Sequence, residues 1–163
     1  MYIGVKKYCF TEEAKEVGGH ILHQIKALKD IPRYGVKAGD LGGWIESEKN
    51  LSQESDAWVC GKAQIFGNAQ VSGKALVFGD ALIYSDAWVC GKARIFGNAR
   101  IFGNSQIFGK ALVYGNAQIY GNAWIYGNAQ VYGNIHVCQN AHVCGKAHVF
   151  GNAQIRSNDQ VFK

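Results

Sequence analysis

A chain of 163 residues suffices for one buried core and is too short for two ordinary domains. With 48% hydrophobic and 18% charged residues and no apolar run of eighteen, it is neither a disordered tail nor a bearer of a spanning helix. Its formal charge of +5 is unevenly held, net −1 over residues 1–56 and net +6 over residues 57–163, so an anionic partner is expected on the latter part.

The opening MYIGVKKYCFTEE has charges inside any apolar stretch and does not read as a signal peptide. The expected location is the cytoplasm, that of the host if the gene belongs to a phage. Residues 2–10 are expected to form a strand, Gly18 and Gly19 a turn, and HILHQIKAL a second strand. Ile21, Ile25 and Leu28 also have helical spacing, but the double Gly and the shortness of the run favour a hairpin. Pro32 makes a turn, and Gly39, Gly42 and Gly43 break any regular element. Ile45 and Leu51 lie six apart, with Asn50 and Asp56 where corners belong, so an irregular first coil is expected to begin there. Residues 1–44 form a capping element in this scheme and residues 45–163 a solenoid.

From Ala57 onward the chain is one six-residue phrase, from AWVCGK and AQIFGN to AQIRSN, repeated seventeen times and then cut short as DQVFK. Position three is Val or Ile in all eighteen hexads, position one is Ala in fifteen, and position five is Gly in fourteen. Six is not a helical period; alternation over four residues followed by a two-residue corner suits a short strand and a turn. Positions one and three share one side of the strand, positions two and four the other. Gln, Arg and His at position two cannot enter a narrow dry core, so the Ala and Val/Ile side is interior. Gly with Asn, Asp or Lys at the corners permits tight turns. Three strands close a triangle, and eighteen hexads make an all-β solenoid of six coils, with neighbours roughly 4.8 Å apart.

The phrases AxVYGN and AxIFGN resemble the repeat of the trimeric LpxA-like hexapeptide superfamily, an aliphatic residue followed four places later by a small one, as in Val59 and Ala63 or Ile119 and Ala123. The resemblance covers about two-thirds of the chain and implies a left-handed β-helix and a homotrimer. Handedness rests on it alone, because the period equally permits the right-handed, bactofilin-like triangular solenoid. The leader HILHQIKALKD with AGDLGGWIESEKNLSQ is similar to that of phage and prophage hexapeptide-repeat proteins.

Five Cys form no disulfide pattern; Cys90 and Cys144 share a face but lie three coils apart, roughly 14 Å, beyond bridging distance. The period distributes outward residues over three faces. Face one carries Trp58, Leu76, Arg94, Leu112, Gln130 and His148 at position two. Face two carries Gln64, Leu82, Arg100, Gln118, His136 and Gln154, and face three Gln70, Trp88, Gln106, Trp124, His142 and Gln160. Twelve of eighteen position-four residues are aromatic: they either stack between coils as ladders or pack on other subunits. Lys74, Lys92, Lys110 and Lys146 rise along the corner after face three, interrupted by Asn128. That column is either a solvated edge or a strip for phosphate, with Trp88, Phe108, Trp124 and Tyr126 as stacking platforms. Arg94 beside Phe96 and Arg100 beside Phe102 repeat ARIFGN, a cation next to a ring that suits phosphate contact.

Three functions compete. Binding of an anionic, nucleotide-type small molecule without catalysis is the first, with Arg94, Arg100, Lys92 and Lys110 as charge and Trp88, Phe96, Phe102, Phe108, Trp124 and Tyr126 as walls. In a phage protein such sequestration would serve counter-defence. An acyltransferase using acyl-coenzyme A is the second; the resemblance implies a His general base, for which His142 is the candidate. Against it, no inserted loop shapes a site after residue 57. A structural solenoid is the third, favoured by the unbroken repeat. The residues point to no cofactor and no metal, since His136 with Cys138 and His142 with Cys144 give only two ligands each. The expected partners are a homo-oligomer, a trimer by resemblance, and a small anion, with nucleic acid less favoured and no membrane.

Overall fold

The computed structural model describes residues 4–156 and 159–162. From Trp58 to Phe162 the chain forms eighteen short strands, nearly all of two residues, at the spacing the hexads dictate. Each strand pairs in parallel with the one eighteen residues on: Arg94 faces Leu112, Arg100 faces Gln118, and Gln106 faces Trp124. Three sheets result, a triangular solenoid of about six coils.

Ala and Val/Ile line the interior. Every position-three residue from Val59 to Val149 is buried, as is every Ala at position one from Ala57 to Ala147. The polar interior exception, Ser105, is buried with its hydroxyl donating to the Phe102 carbonyl at 2.9 Å. Replacing that hydroxyl by the Ala of its neighbours leaves one acceptor with less to accept and no cavity, so Ser105→Ala is expected to change stability by less than about 1 kcal/mol in thermal unfolding. Backbone amides at positions two, four and six donate to the next coil, as Arg94, Phe96 and Asn98 do to Ala111, Val113 and Gly115 at 2.8–3.0 Å. Short strands thereby obtain from neighbouring coils the partners that they lack alone.

The N-terminal element is a hairpin on the first coil. β1 (Tyr8–Val17) and β2 (His20–Ala27) pair antiparallel around Gly18 and Gly19, both at positive φ, the two-residue turn that matches strand twist. The first strand begins later and runs longer than the expected 2–10, and residues 1–3 lie outside the described ones. β3 (Leu41–Ile45) pairs antiparallel with β2 and in parallel with Gln64–Ile65, so face two continues into the cap as a nine-stranded sheet while the other two faces have six strands. Ile45 and Leu51 are buried above Ile65 and Val71, twenty residues away rather than eighteen: the irregular first coil holds two extra residues.

Trp58 corrects the outward assignment made from the period. It is 1% exposed, beneath the cap and edge-on to Tyr8. Gly42 makes this possible, because a Cβ there would stand 2.8 Å from the indole and 2.5 Å from Ile25. The cap is anchored by polar contacts as well. The Tyr8 hydroxyl donates to the Leu51 carbonyl at 2.7 Å, and the buried Lys7 ammonium donates to the carbonyls of Ser55 and Ala57 at 2.8 and 2.6 Å. Gln53 accepts from the Lys7 amide and donates to the Tyr8 carbonyl.

At the other end, Val161 is half-buried and Phe162 is 68% exposed, so the ring does not cover the last coil. Asp159, where Ala would be interior, turns its carboxylate back to accept from the Arg156 amide at 3.0 Å.

Candidate functional site

Position-four rings form ladders on the faces. On face one Phe78, Phe96, Tyr114, Tyr132 and Phe150 stack coil on coil, with centroids 4.7–5.4 Å apart. On face two Phe66, Tyr84, Phe102 and Tyr120 stack at 5.0–5.1 Å, and His20 of the cap tops the series 4.9 Å from Phe66. Glu46 holds His20 at 3.0 Å and also accepts from the Gly67 amide; the His20 contact, more than the Gly67 bond, keeps its carboxyl below the usual range. Face three has a shorter series, Phe108 on Tyr126, and places Trp88 and Trp124 outermost, 45% and 36% exposed.

Two corners bear amide ladders. Asn98, Asn116, Asn134 and Asn152 are linked side chain to side chain after face one, and Asn104, Asn122 and Asn140 after face two. The third corner carries the Lys column instead.

The residues expected to bind an anion fall into separate places. Arg94 and Phe96 are on face one, Arg100 and Phe102 on face two, and Trp88, Phe108, Trp124 and Tyr126 on face three. Arg94 and Arg100 therefore do not meet within one chain. Arg94 lies over Phe78 of the preceding coil, 5.6 Å from its centroid, instead of packing on Phe96. Arg100 borders a shallow groove with Gln64, Leu82 and Gln118, beside Asp80 and Asn98. His142 is stacked on Trp124 at 5.0 Å and stands edge-on to Tyr126, which makes it a member of the face-three stack. His136, His142 and His148 sit on three different sheets, and no group of three or more His, Cys, Asp or Glu gathers among the described residues.

What the period missed lies where the cap meets the third corner. The 3-10 turn Pro32–Tyr34 rests on that edge, and its Tyr34 hydroxyl donates to the Lys74 carbonyl. Arg33, Tyr34, Lys74, Lys92 and Arg94 line one open groove of about 270 Å³. Asp56 approaches Arg33 to 3.7 Å; among the described residues Lys74, Lys92 and Arg94 have no carboxylate partner. Burial raises the Tyr34 phenol, with Asp56 adding to the rise while Arg33 and Arg94 pull against it. Pro32 marked a turn in the sequence, but nothing periodic connects the adjoining Arg33 and Tyr34 to Lys92.

Two stretches in the middle coils, residues 93–107 and 117–133, match the family model described as YdcK Beta solenoid repeat. No curated protein matches the chain in sequence. The matched stretches coincide with hexads whose strands stand in register on all three sheets. Similarity to the YdcK repeat and the observed coils agree on one statement, that the chain is a β-solenoid repeat protein.

Proposed function

We propose that the protein is a non-enzymatic scaffold, a rigid solenoid that acts by assembling with copies of itself, as a trimer by the hexapeptide resemblance. The observation that carries this is the unbroken run of eighteen strands in register, with ring ladders along the faces and no loop inserted between coils. Such an object has uniform sides and a length set by the number of coils. Excising residues 129–146 removes one coil, joins Asn128 to Ala147 in phase and keeps both Trp88 and Trp124. A scaffold should stay folded, keep its oligomeric state in light scattering, and shorten by ~4.8 Å in small-angle scattering. Loss of assembly or of the fold would overturn this reading.

Face three is the proposed contact between copies, because Trp88 and Trp124 expose apolar surface in its middle coils and Phe162 at its end. Trp88→Glu with Trp124→Glu should give monomers at micromolar concentration with an unchanged circular dichroism spectrum. A monomeric wild type would refute the assembly.

A second reading, sequestration of an anionic, nucleotide-type molecule, is favoured by one observation: Lys74, Lys92 and Arg94 are exposed and without carboxylate partners among the described residues. Incubation with linear and cyclic nucleotides and acetyl-coenzyme A, followed by filtration and denaturation, tests it. A nucleotide depleted from the filtrate and released intact supports sequestration; release of free coenzyme A in the presence of an acceptor would instead make the protein an acyltransferase.

A further inference from the structure

The groove at the third corner deepens that second reading, on which the following rests. We propose that Arg33, Lys74, Lys92 and Arg94, with Tyr34, form a binding site for a small anion carrying two or more linked phosphoryl groups, seated between the cap and the edge of the solenoid.

Four cations converge on one groove, and among the described residues the one carboxylate paired with any of them is Asp56, 3.7 Å from Arg33. Mutual repulsion makes such an arrangement unfavourable unless water, salt or a bound anion compensates it. The cluster is also held in place. Lys74 and Lys92 occupy the same corner of successive coils, and their amides donate to the Gly91 and Gly109 carbonyls at 2.6 Å. Their backbones are thus fixed one coil apart, ~4.8 Å, a step that linked phosphoryl groups can span. Arg94 is backed by the Phe78 ring, which orients the guanidinium while its N–H fork stays open to a bidentate acceptor. Arg33 comes from the opposite wall, on a turn pinned by Tyr34 to Lys74.

The enclosing wall separates this site from the rest of the Lys column. Lys110 and Lys146 lie farther along the same corner and do not line the groove, and Asn128 separates them. A long polyanion would use the whole column; a compact one needs only the end that the cap encloses. A volume of about 270 Å³ suits a diphosphate or the phosphate end of a larger molecule. Phosphate is favoured over a lone carboxylate because it offers more acceptor oxygens and charge to an Arg pair and two Lys in the same space.

Binding here would tie the cap to the first coils, so a ligand should raise the unfolding temperature in proportion to its occupancy. The test uses inorganic pyrophosphate at low salt with the full chain, by calorimetric titration and thermal shift. Wild type should bind, and Arg94→Gln and Lys92→Gln should each weaken affinity about tenfold, as loss of a charge-assisted contact does. Lys146→Gln, an equal loss of charge on the same corner, should leave affinity within about twofold. All three positions are exposed, and an unchanged circular dichroism spectrum verifies that each variant folds. No pyrophosphate binding, or equal losses in Arg94→Gln and Lys146→Gln, overturns the site and leaves only diffuse attraction. Tighter binding of a single-stranded oligonucleotide, weakened by Lys110→Gln and Lys146→Gln, would overturn it in favour of a nucleic-acid strip. A nucleotide held equally by wild type and Arg94→Gln would overturn this groove while leaving sequestration elsewhere intact.

Discussion

Gly109→Ala is expected to destabilise the solenoid by about 3–5 kcal/mol, summing a left-handed backbone cost with a broken inter-coil contact. Gly109 turns the corner at φ +71°, where a side chain is already strained, and a Cβ there would stand 2.8 Å from both the amide nitrogen and the carbonyl oxygen of Gly127. That carbonyl accepts the Lys110 amide at 2.6 Å, so moving it away breaks the bond that joins the coils at this corner. The obstacle is backbone and has no rotamer by which to retreat. Gly67 provides the control: its Cβ would meet Ser85 at 3.2 Å or more, and Ser85 itself turns the same kind of corner at φ +60° with a side chain. Urea unfolding should therefore show Gly67→Ala well above Gly109→Ala in midpoint. Equal midpoints would mean that conformational preference, and not the stacking of corners, sets the cost.

The second large effect is expected at Lys7. Burial first, and then Lys29, push its ammonium down to about 7 from 10.5, with Asp56 pulling the other way. A neutral amine still has two N–H groups, which suit the two carbonyls of Ser55 and Ala57. Between pH 7 and 10.5 the unfolded chain holds a proton at this position that the folded one does not. Stability from this group is thus present above pH 10.5 and is lost as the pH falls towards 7, at most about 1.4 kcal/mol per pH unit. Lys7→Met keeps most of the volume but leaves two buried carbonyls without donors, and should cost about 2–4 kcal/mol. Thermal unfolding of both proteins across pH 7–10 separates the contributions: the gap between their midpoints should widen as pH rises. A constant gap would remove the titration of Lys7 from the account while leaving its hydrogen bonds in it.

The solenoid was legible because its information is local and repeated. Val or Ile at every third position of the hexad identified the interior, and the burial of residues such as Ile101 and Val113 follows from that phase. Gly18 and Gly19 announced the hairpin for the same reason, a backbone need written in adjacent residues. Ring stacking was one of two open alternatives, and the ladder Phe78–Phe96–Tyr114 decides for it without deciding what covers the outer side of the rings. The cap's docking was not legible. Trp58 shares its hexad position with exposed Trp88, and what distinguishes them is Tyr8 and Gly42, sixteen or more residues away and outside any period. The groove was half legible: Lys74, Lys92 and Arg94 follow from the period, whereas Arg33 and Tyr34 reach it only because the Pro32–Tyr34 turn lies against that edge.

The eighteen-residue offset between paired strands also bears on how the chain folds as it leaves the ribosome. The cap's own contacts reach farther, Tyr8 to Leu51, Lys7 to Ala57 and Tyr34 to Lys74, so it closes only once the third hexad has been made. From Leu76 on each nascent strand finds a finished partner eighteen residues behind it, and no later contact within the solenoid requires a longer search. The closed cap and first coil serve as a template, and the coils are laid down one after another in the order of translation.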